Sequence, residues 1–259
     1  MKTLTLFLLS ILFFSNAYGA AAGENKVYIE QAGNTNTITI DQIGGGNMVG
    51  GTTSTTIAVN GAGVTTITPA SPSSSNYALI TGNTNSLTLN HLGDTNWAQY
   101  VITGSNNIYS NKITGNSNIS ILTIGKVLPT PMANLRNNIN EEIIGNTNYT
   151  IQSISNDDII SNLKITGDQN QVTTDLGSSF GKVNTVITGG NNILFNTQAG
   201  VATGHDLTQD ILGSFNSIST QQLGVNDSII DIKVNGDHNT ITVHSSDSTI
   251  ASPLIATPR

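Results

Sequence analysis

Ile29-Glu30-Gln31-Ala32-Gly33-Asn34-Thr35-Asn36-Thr37-Ile38-Thr39-Ile40-Asp41-Gln42-Ile43-Gly44-Gly45-Gly46-Asn47 contains one unit written twice, Gln31-x-Gly33-x-x-Asn36 and Gln42-x-Gly44-x-x-Asn47, eleven residues apart. Each half joins a short run of alternating β-branched and polar residues to a Gly/Asn turn, which reads as strand, turn, strand, turn. A strand of about six residues plus a tight turn uses roughly eleven, so two units return the chain to its start one strand spacing, ~4.8 Å, away. The expected fold is therefore all-β: a β-solenoid of stacked strand-turn-strand coils with a ~22-residue repeat made of two ~11-residue half-units.

The same spacing recurs outward from this stretch. Gly82, Gly93, Gly104 and Gly115 follow one another at intervals of eleven, each with an asparagine three residues later: Asn85, Asn96, Asn107 and Asn118. The register resumes at Gly145-Asn146-Thr147-Asn148 and continues through Gly167, Gly189, Gly213 and Gly236, with degenerate turns near Ser155-Asn156 and across 177–184. Glycine is expected to supply positive φ at the turn, and asparagine to tolerate the left-handed region or bond its own backbone. Stacked coils would place Asn on Asn and Gln on Gln in amide ladders. Parity puts Asn36, Ile38, Ile40 and Gln42 on one strand face, expected to be the core, and Thr37, Thr39, Asp41 and Ile43 on the other. Later units keep an apolar residue two before the glycine, among them Ile80, Ile102, Ile113, Ile143 and Ile165, while Gln198 and Gln222 keep the amide.

Residues 1–19 read as an export signal, with Lys2, the apolar run Leu4 to Phe14 and the small-x-small site Ala17-Tyr18-Gly19. That run is too short for a spanning helix, which needs about 20 residues, and no later segment is apolar enough to span, so a secreted, cell-surface product is expected. Residues 20–26 read as a short leader and 27–244 as the solenoid. Interruptions are expected near 48–77, with Pro69 and Pro72, and near 126–140, with Pro129 and Pro131. The tail, 245–259, loses the period, and its Pro253 and Pro258 are expected to hinder extension at that end.

Composition excludes several classes. Charged residues are only 10% of the chain and aromatics 5%, yet aliphatics recur at fixed places, unlike a disordered segment. A net charge of −7 with nine Lys plus Arg offers no basic stripe for nucleic acid. With no cysteine, stability is expected from hydrogen-bond ladders and packed aliphatics. His91, His205, His238 and His244 are dispersed and read as turn or surface residues, and Asp157-Asp158 lacks the glycine-rich repeat of calcium-bound solenoids. Glu141 and Glu142 face opposite ways on a strand or sit in a loop, beside Arg136. No catalytic, cofactor or metal site is expected, because no nucleophile elbow or ligand cluster is present.

Gln31-x-Gly33-x-x-Asn36-x-Ile38-x-x-x-Gln42 resembles the repeat of curlin, the secreted subunit of bacterial curli fibres, which reads Gln-x-Gly-x-x-Asn-x-Ala-x-x-x-Gln. Ile38 replaces the family's alanine, and in most later units an aliphatic replaces the glutamine. The resemblance implies a two-sheet solenoid that polymerises end to end into functional amyloid, with a role in surface adhesion and biofilm matrix and no enzymatic activity. It also implies partners: other copies of the chain, a related nucleator subunit and an outer-membrane export pore. Major subunit, nucleator and accessory component all fit the pattern. On this reading the Ile29 to Asn47 coil is the exposed template. A monomeric, capped solenoid acting as an adhesin through its interruptions is the alternative. The outward row Thr35-Thr37-Thr39 fits ice binding less well, because it does not recur at each coil.

Overall fold

A computed structural model describes residues 23–50, 78–125, 136–177, 179–200 and 204–246, and the backbone of three further strands, Thr55–Asn60, Gly63–Pro69 and Leu254–Ala256. The export signal expected at 1–19 lies outside the described residues, as do Pro72, Pro129, Pro131, Pro253 and Pro258.

Two parallel sheets face one another. The front sheet starts with Lys26–Val27 and Ile29–Ala32, and runs through Trp97–Thr103, Ile119–Ile124, Tyr149–Ile154, Gln171–Leu176, Ile193–Gly200 and Ser217–Gly224 to Thr240–Ser245. Among the described residues the back sheet has nine strands, from Thr37–Ile43 through Ser86–Leu92, Ile108–Thr114, Asn138–Ile144, Ile160–Lys164, Lys182–Val186, Asp206–Asp210 and Ile229–Lys233 to Leu254–Ala256. The chain alternates between sheets, so each strand pairs with its counterpart one coil away. The step is 22 residues at Trp97↔Ile119, 24 at Ile193↔Ser217 and 23 at Ser217↔Thr240. The chain is thus a β-solenoid of about eight turns. Among the described residues there is no helix long and apolar enough to cross a membrane.

The first interruption splits one strand level in two, and the second falls between Ile119–Ile124 and Asn138–Ile144, which shifts their sequence boundaries. Met48–Val49 pairs with Trp97 and Ala98, and Ala78–Thr81 resumes the same level against Val101 to Thr103. The break is stitched by Gly50 N–H to Ala98 O and Ala78 N–H to Tyr28 O, both 2.7 Å. Within it, Thr55–Asn60 and Gly63–Pro69 form an antiparallel hairpin, so Pro69 ends a strand instead of marking a loop. In the second interruption Asn138–Ile144 is already a strand, paired residue for residue with Ile108–Thr114. Alternation alone makes a strand, so the fold resumes before the next Gly-x-x-Asn does. The tail likewise rejoins the stack, since Leu254–Ala256 pairs with Ile230–Ile232.

The core follows the parity expected from the first unit. Ile80, Ile102, Ile113, Ile143, Ile165, Ile187, Ile211 and Val234 are all buried, and so are Gln198 and Gln222. Mid-strand positions are more polar than the opening Ile38 and Ile40 suggest. Glu141 is buried and accepts bonds from Tyr109 Oη at 2.9 Å, Ser120 Oγ at 3.0 Å and Thr150 Oγ1. Asn111 Nδ2 donates to Ser120 Oγ at 3.1 Å, and Tyr100 packs on Tyr109 with ring centroids 5.0 Å apart. Glu142 faces outward and pairs with Lys164 at 3.4 Å. Arg136 is directed elsewhere, to Asp158 at 2.6 Å.

Candidate assembly interface

Each turn is built from stacking. In the unit Gly-x-x-Asn the glycine has φ between +108° and +126° at Gly33, Gly44, Gly82, Gly93, Gly104, Gly115 and Gly145. The residue in the left-handed region is the one before asparagine: Thr35, Thr84, Thr95, Asn106, Ser117 and Thr147 lie at φ 57° to 63°. The asparagine three after each glycine is not the left-handed residue, which corrects the turn chemistry expected from sequence, although the left-handed site is itself an asparagine at Asn106. The strain of a β-branched residue there is offset by a main-chain bond to the previous coil, as in Thr95 N–H to Gly45 O at 2.9 Å and Thr147 N–H to Asn116 O at 2.9 Å. Glycine is required by contact as well as by φ, since a Cβ on Gly33 would lie 2.0 Å from Gly82 O and one on Gly115 1.9 Å from Gly145 O.

The asparagine side chains turn inward and bond along the stack. One corner carries Asn25, Asn47, Asn96, Asn118, Asn148, Asn170, Asn192, Asn216 and Asn239 as a continuous column, each main-chain N–H donating to the Oδ1 of the member before it. Nδ2 atoms add a second bond to that oxygen and reach the glycine carbonyl of the next coil, as in Asn96 Nδ2 to Gly115 O at 2.7 Å. The opposite corner carries Asn36, Asn85, Asn107 and Asn137. There the asparagines give way to Ile159, which still donates to Asn137 Oδ1 at 2.9 Å, then to Gly181, and then to His205 and Ser228, bonded at 3.0 Å. Gln198 and Gln222 take over that corner, bonded to each other at 2.8 Å and to the carbonyls of Lys182, Asp206 and Ser228.

The sixteen positions singled out in the sequence therefore separate. Gly33, Asn36, Gly82, Asn85, Gly104 and Asn107 lie at one corner, and Gly44, Asn47, Gly93, Asn96, Gly115, Asn118, Gly145 and Asn148 at the other. Gln31 and Gln42 differ. Gln31 is exposed on the first front strand, above Ile80, whereas Gln42 is buried next to His91, its register partner. Gln42 Nε2 and both His91 ring nitrogens lack a hydrogen-bond partner, and burial lowers the His91 pKa to about 4.

No family model, curated protein or solved structure matches this chain.

One expectation changes with the geometry. His91 and His205 are buried, and only His238 and His244 are exposed. The carboxylates of Asp157 and Asp158 are engaged by Ser179 Oγ at 2.7 Å and by Arg136. No group of three or more His, Asp or Glu suited to a metal occurs among the described residues. Sequence reading passed over three participants. Asn25 lies 22 residues before Asn47, so the period itself could have found it inside the supposed leader. Asn137 is hidden because it follows an insertion, and the buried Glu141 was visible only through its parity with Ile143.

Among the described residues, the outermost strands carry inward aliphatics that are half covered: Val27, Ile29, Ile38 and Ile40 toward the N-terminus, Ile241 and Val243 toward the C-terminus. One coil inward the equivalent positions, such as Val49, Ala78, Leu87 and Leu89, are fully buried.

Proposed function

We propose that this chain is a secreted structural protein that assembles end to end into extracellular amyloid-like fibres serving surface adhesion and biofilm matrix. The observation that carries this reading is that the outermost described parallel strands, toward either terminus, have half-covered inward aliphatics. An unpaired edge strand is a template for another chain unless charge, proline or a cap blocks it. The curlin-like opening unit points the same way. Purified mature chain held at neutral pH should form thioflavin-positive fibrils giving ~4.8 Å and ~10 Å cross-β reflections. A chain that stays monomeric for days under these conditions would refute the proposal. The hairpin Thr55–Asn60/Gly63–Pro69, standing outside the two main sheets, favours one second reading, a monomeric adhesin displaying that hairpin. In that case, deleting the hairpin would abolish surface attachment in a protein that never polymerises.

A further inference from the structure

The two ends of the solenoid match in register as well as in kind. Strand pairings carry the position of Lys26 through Met48, Trp97, Ile119, Tyr149, Gln171, Ile193 and Ser217 to Thr240. In the back sheet the position of Ile38 is carried likewise to Leu254. A second copy added as the next coil thus places its 26–31 on 240–245 and its 38–40 on 254–256. Val27 then covers Ile241 and Ile29 covers Val243, which are the half-covered residues of the two ends.

The asparagine column has a direction. Each N–H points to the Oδ1 of the preceding coil, so the first member, Asn25, presents a donor and the last, Asn239, presents an acceptor. Head-to-tail docking continues the column, whereas head-to-head docking sets donor against donor. On the outside of this joint two contacts of opposite sign arise. His244, exposed on the outer face of the last front strand, comes opposite exposed Glu30. His238, at the turn position before Asn239, comes opposite Glu24, which precedes Asn25 in the same way. The His238 ring is stacked on Phe215 at 5.0 Å, so its other face is directed along the stack.

We infer that the C-terminal end of the solenoid receives the N-terminal end of a second copy in this register, closed by His244–Glu30 and His238–Glu24, and that the joint is stronger at pH 5.5 than at pH 7.5. This rests on the fibre-forming reading above and specifies its contact. Histidine is the side chain whose charge changes between pH 8 and 5. The groups around the pair leave that response to the joint. Beside His244 lies uncharged Gln221, and Asp175 is three strands away in the same column. Beside His238 lies Asp237, whose Oδ1 accepts from Ser214 N–H at 2.6 Å in the preceding coil. Lys26 falls opposite Thr240.

Seeded elongation followed from pH 7.5 to 5.5 tests the pairs, with variants compared at each pH so that changes inside the coil cancel. Wild type should elongate about three- to tenfold better at the acid end, the scale of two exposed ion pairs. His238→Gln with His244→Gln, and separately Glu24→Gln with Glu30→Gln, should remove most of that gain, while the exchange Glu30→His with His244→Glu should restore part of it. The register is tested by cross-linking, because the natural chain has no cysteine. Thr242→Cys protein mixed with Tyr28→Cys protein should form mixed disulfide dimers in fibres, as adjacent strands bring Cα atoms within the ~4.4–6.8 Å that a disulfide spans. Fibres whose pH response survives the histidine variants, or that link Thr242→Cys to itself, overturn the inference and leave the fibre reading standing. Absence of wild-type fibres at every pH overturns both.

Discussion

Asn47 Oδ1 accepts both the main-chain N–H and the Nδ2 of Asn96, at 2.9 and 3.1 Å, across 49 positions of sequence. The same double bond links Asn118 to Asn148 across 30 positions and Asn148 to Asn170 across 22. Insertions of different length thus leave the corner unchanged, because the contact is made between coils and not along the chain.

Replacing a mid-column asparagine should be felt on both sides. Asn118→Ala removes the Oδ1 that serves Asn148 and the Nδ2 that serves Gly145 O. One buried and one part-buried main-chain group lose their partners, which costs roughly 2–4 kcal/mol. The urea midpoint of the dilute monomer should fall accordingly, with Asn36→Ala, at the half-buried first coil, falling less.

Glycines with different neighbours should behave differently. A Cβ at Gly145 meets Gly167 O at 2.4 Å in a backbone with φ +117°, whereas one at Gly177 meets nothing closer than Gln198 O at 3.4 Å. Gly145→Ala is expected to destabilise by about 2–4 kcal/mol, and Gly177→Ala by less than about 1. Equal melting temperatures would show that glycine is not needed for the close stacking at 145.

Burial raises the Glu141 pKa, opposed by hydrogen bonds from Thr150, Tyr109, Ser120 and Gln152. A carboxyl raised in the fold contributes stability that is present below the ordinary glutamate value of ~4.3 and is lost as pH rises through its folded value. Glu141→Gln keeps a polar group in the cluster without the titration. Its stability relative to wild type should therefore increase on going from pH 4 to pH 7, and a constant difference would refute the assignment.

His91 has the opposite dependence. Burial lowers its pKa to about 4, so its neutral form belongs to the fold. The stability it allows is present above about pH 6.5 and declines as pH falls toward its folded pKa, by a limit of about 3 kcal/mol in strong acid. Its column neighbour Ile113 shows that an aliphatic fits the next level. His91→Leu should then hold its stability between pH 6.5 and 4 where wild type loses it, read from urea midpoints across that range.

Glutamines at the ends and in the middle should separate growth from folding. Gln31 is exposed on the first strand, while Gln222 Nε2 donates to Asp206 O at 3.0 Å and Ser228 O at 2.8 Å. Gln31→Ala should leave the monomer's melting temperature unchanged and slow fibre elongation. Gln222→Ala should lower stability by roughly 2–3 kcal/mol. Unchanged elongation in Gln31→Ala would remove Gln31 from the growing face.

Much of this molecule can be read from the chain alone. Residues alternating at period two, with glycine and asparagine every eleven, dictate two-sheet coils, and parity assigns Ile80, Ile102 and Ile113 to the core, because strand geometry fixes both relations locally. Position 25 belongs to the same arithmetic as Asn47. Sequence could not tell which coil an insertion would rejoin. Gly33 stacks on Gly82, and Asn107 bonds Asn137, only because backbone hydrogen bonding completes each level before the next can form. Nor could it show that Thr35 bears the left-handed strain, that Glu141 is held inside by three hydroxyls, or that Glu24 and Glu30 share positions with His238 and His244. Those relations join residues remote in sequence, and only the summed register of all the coils brings them into line.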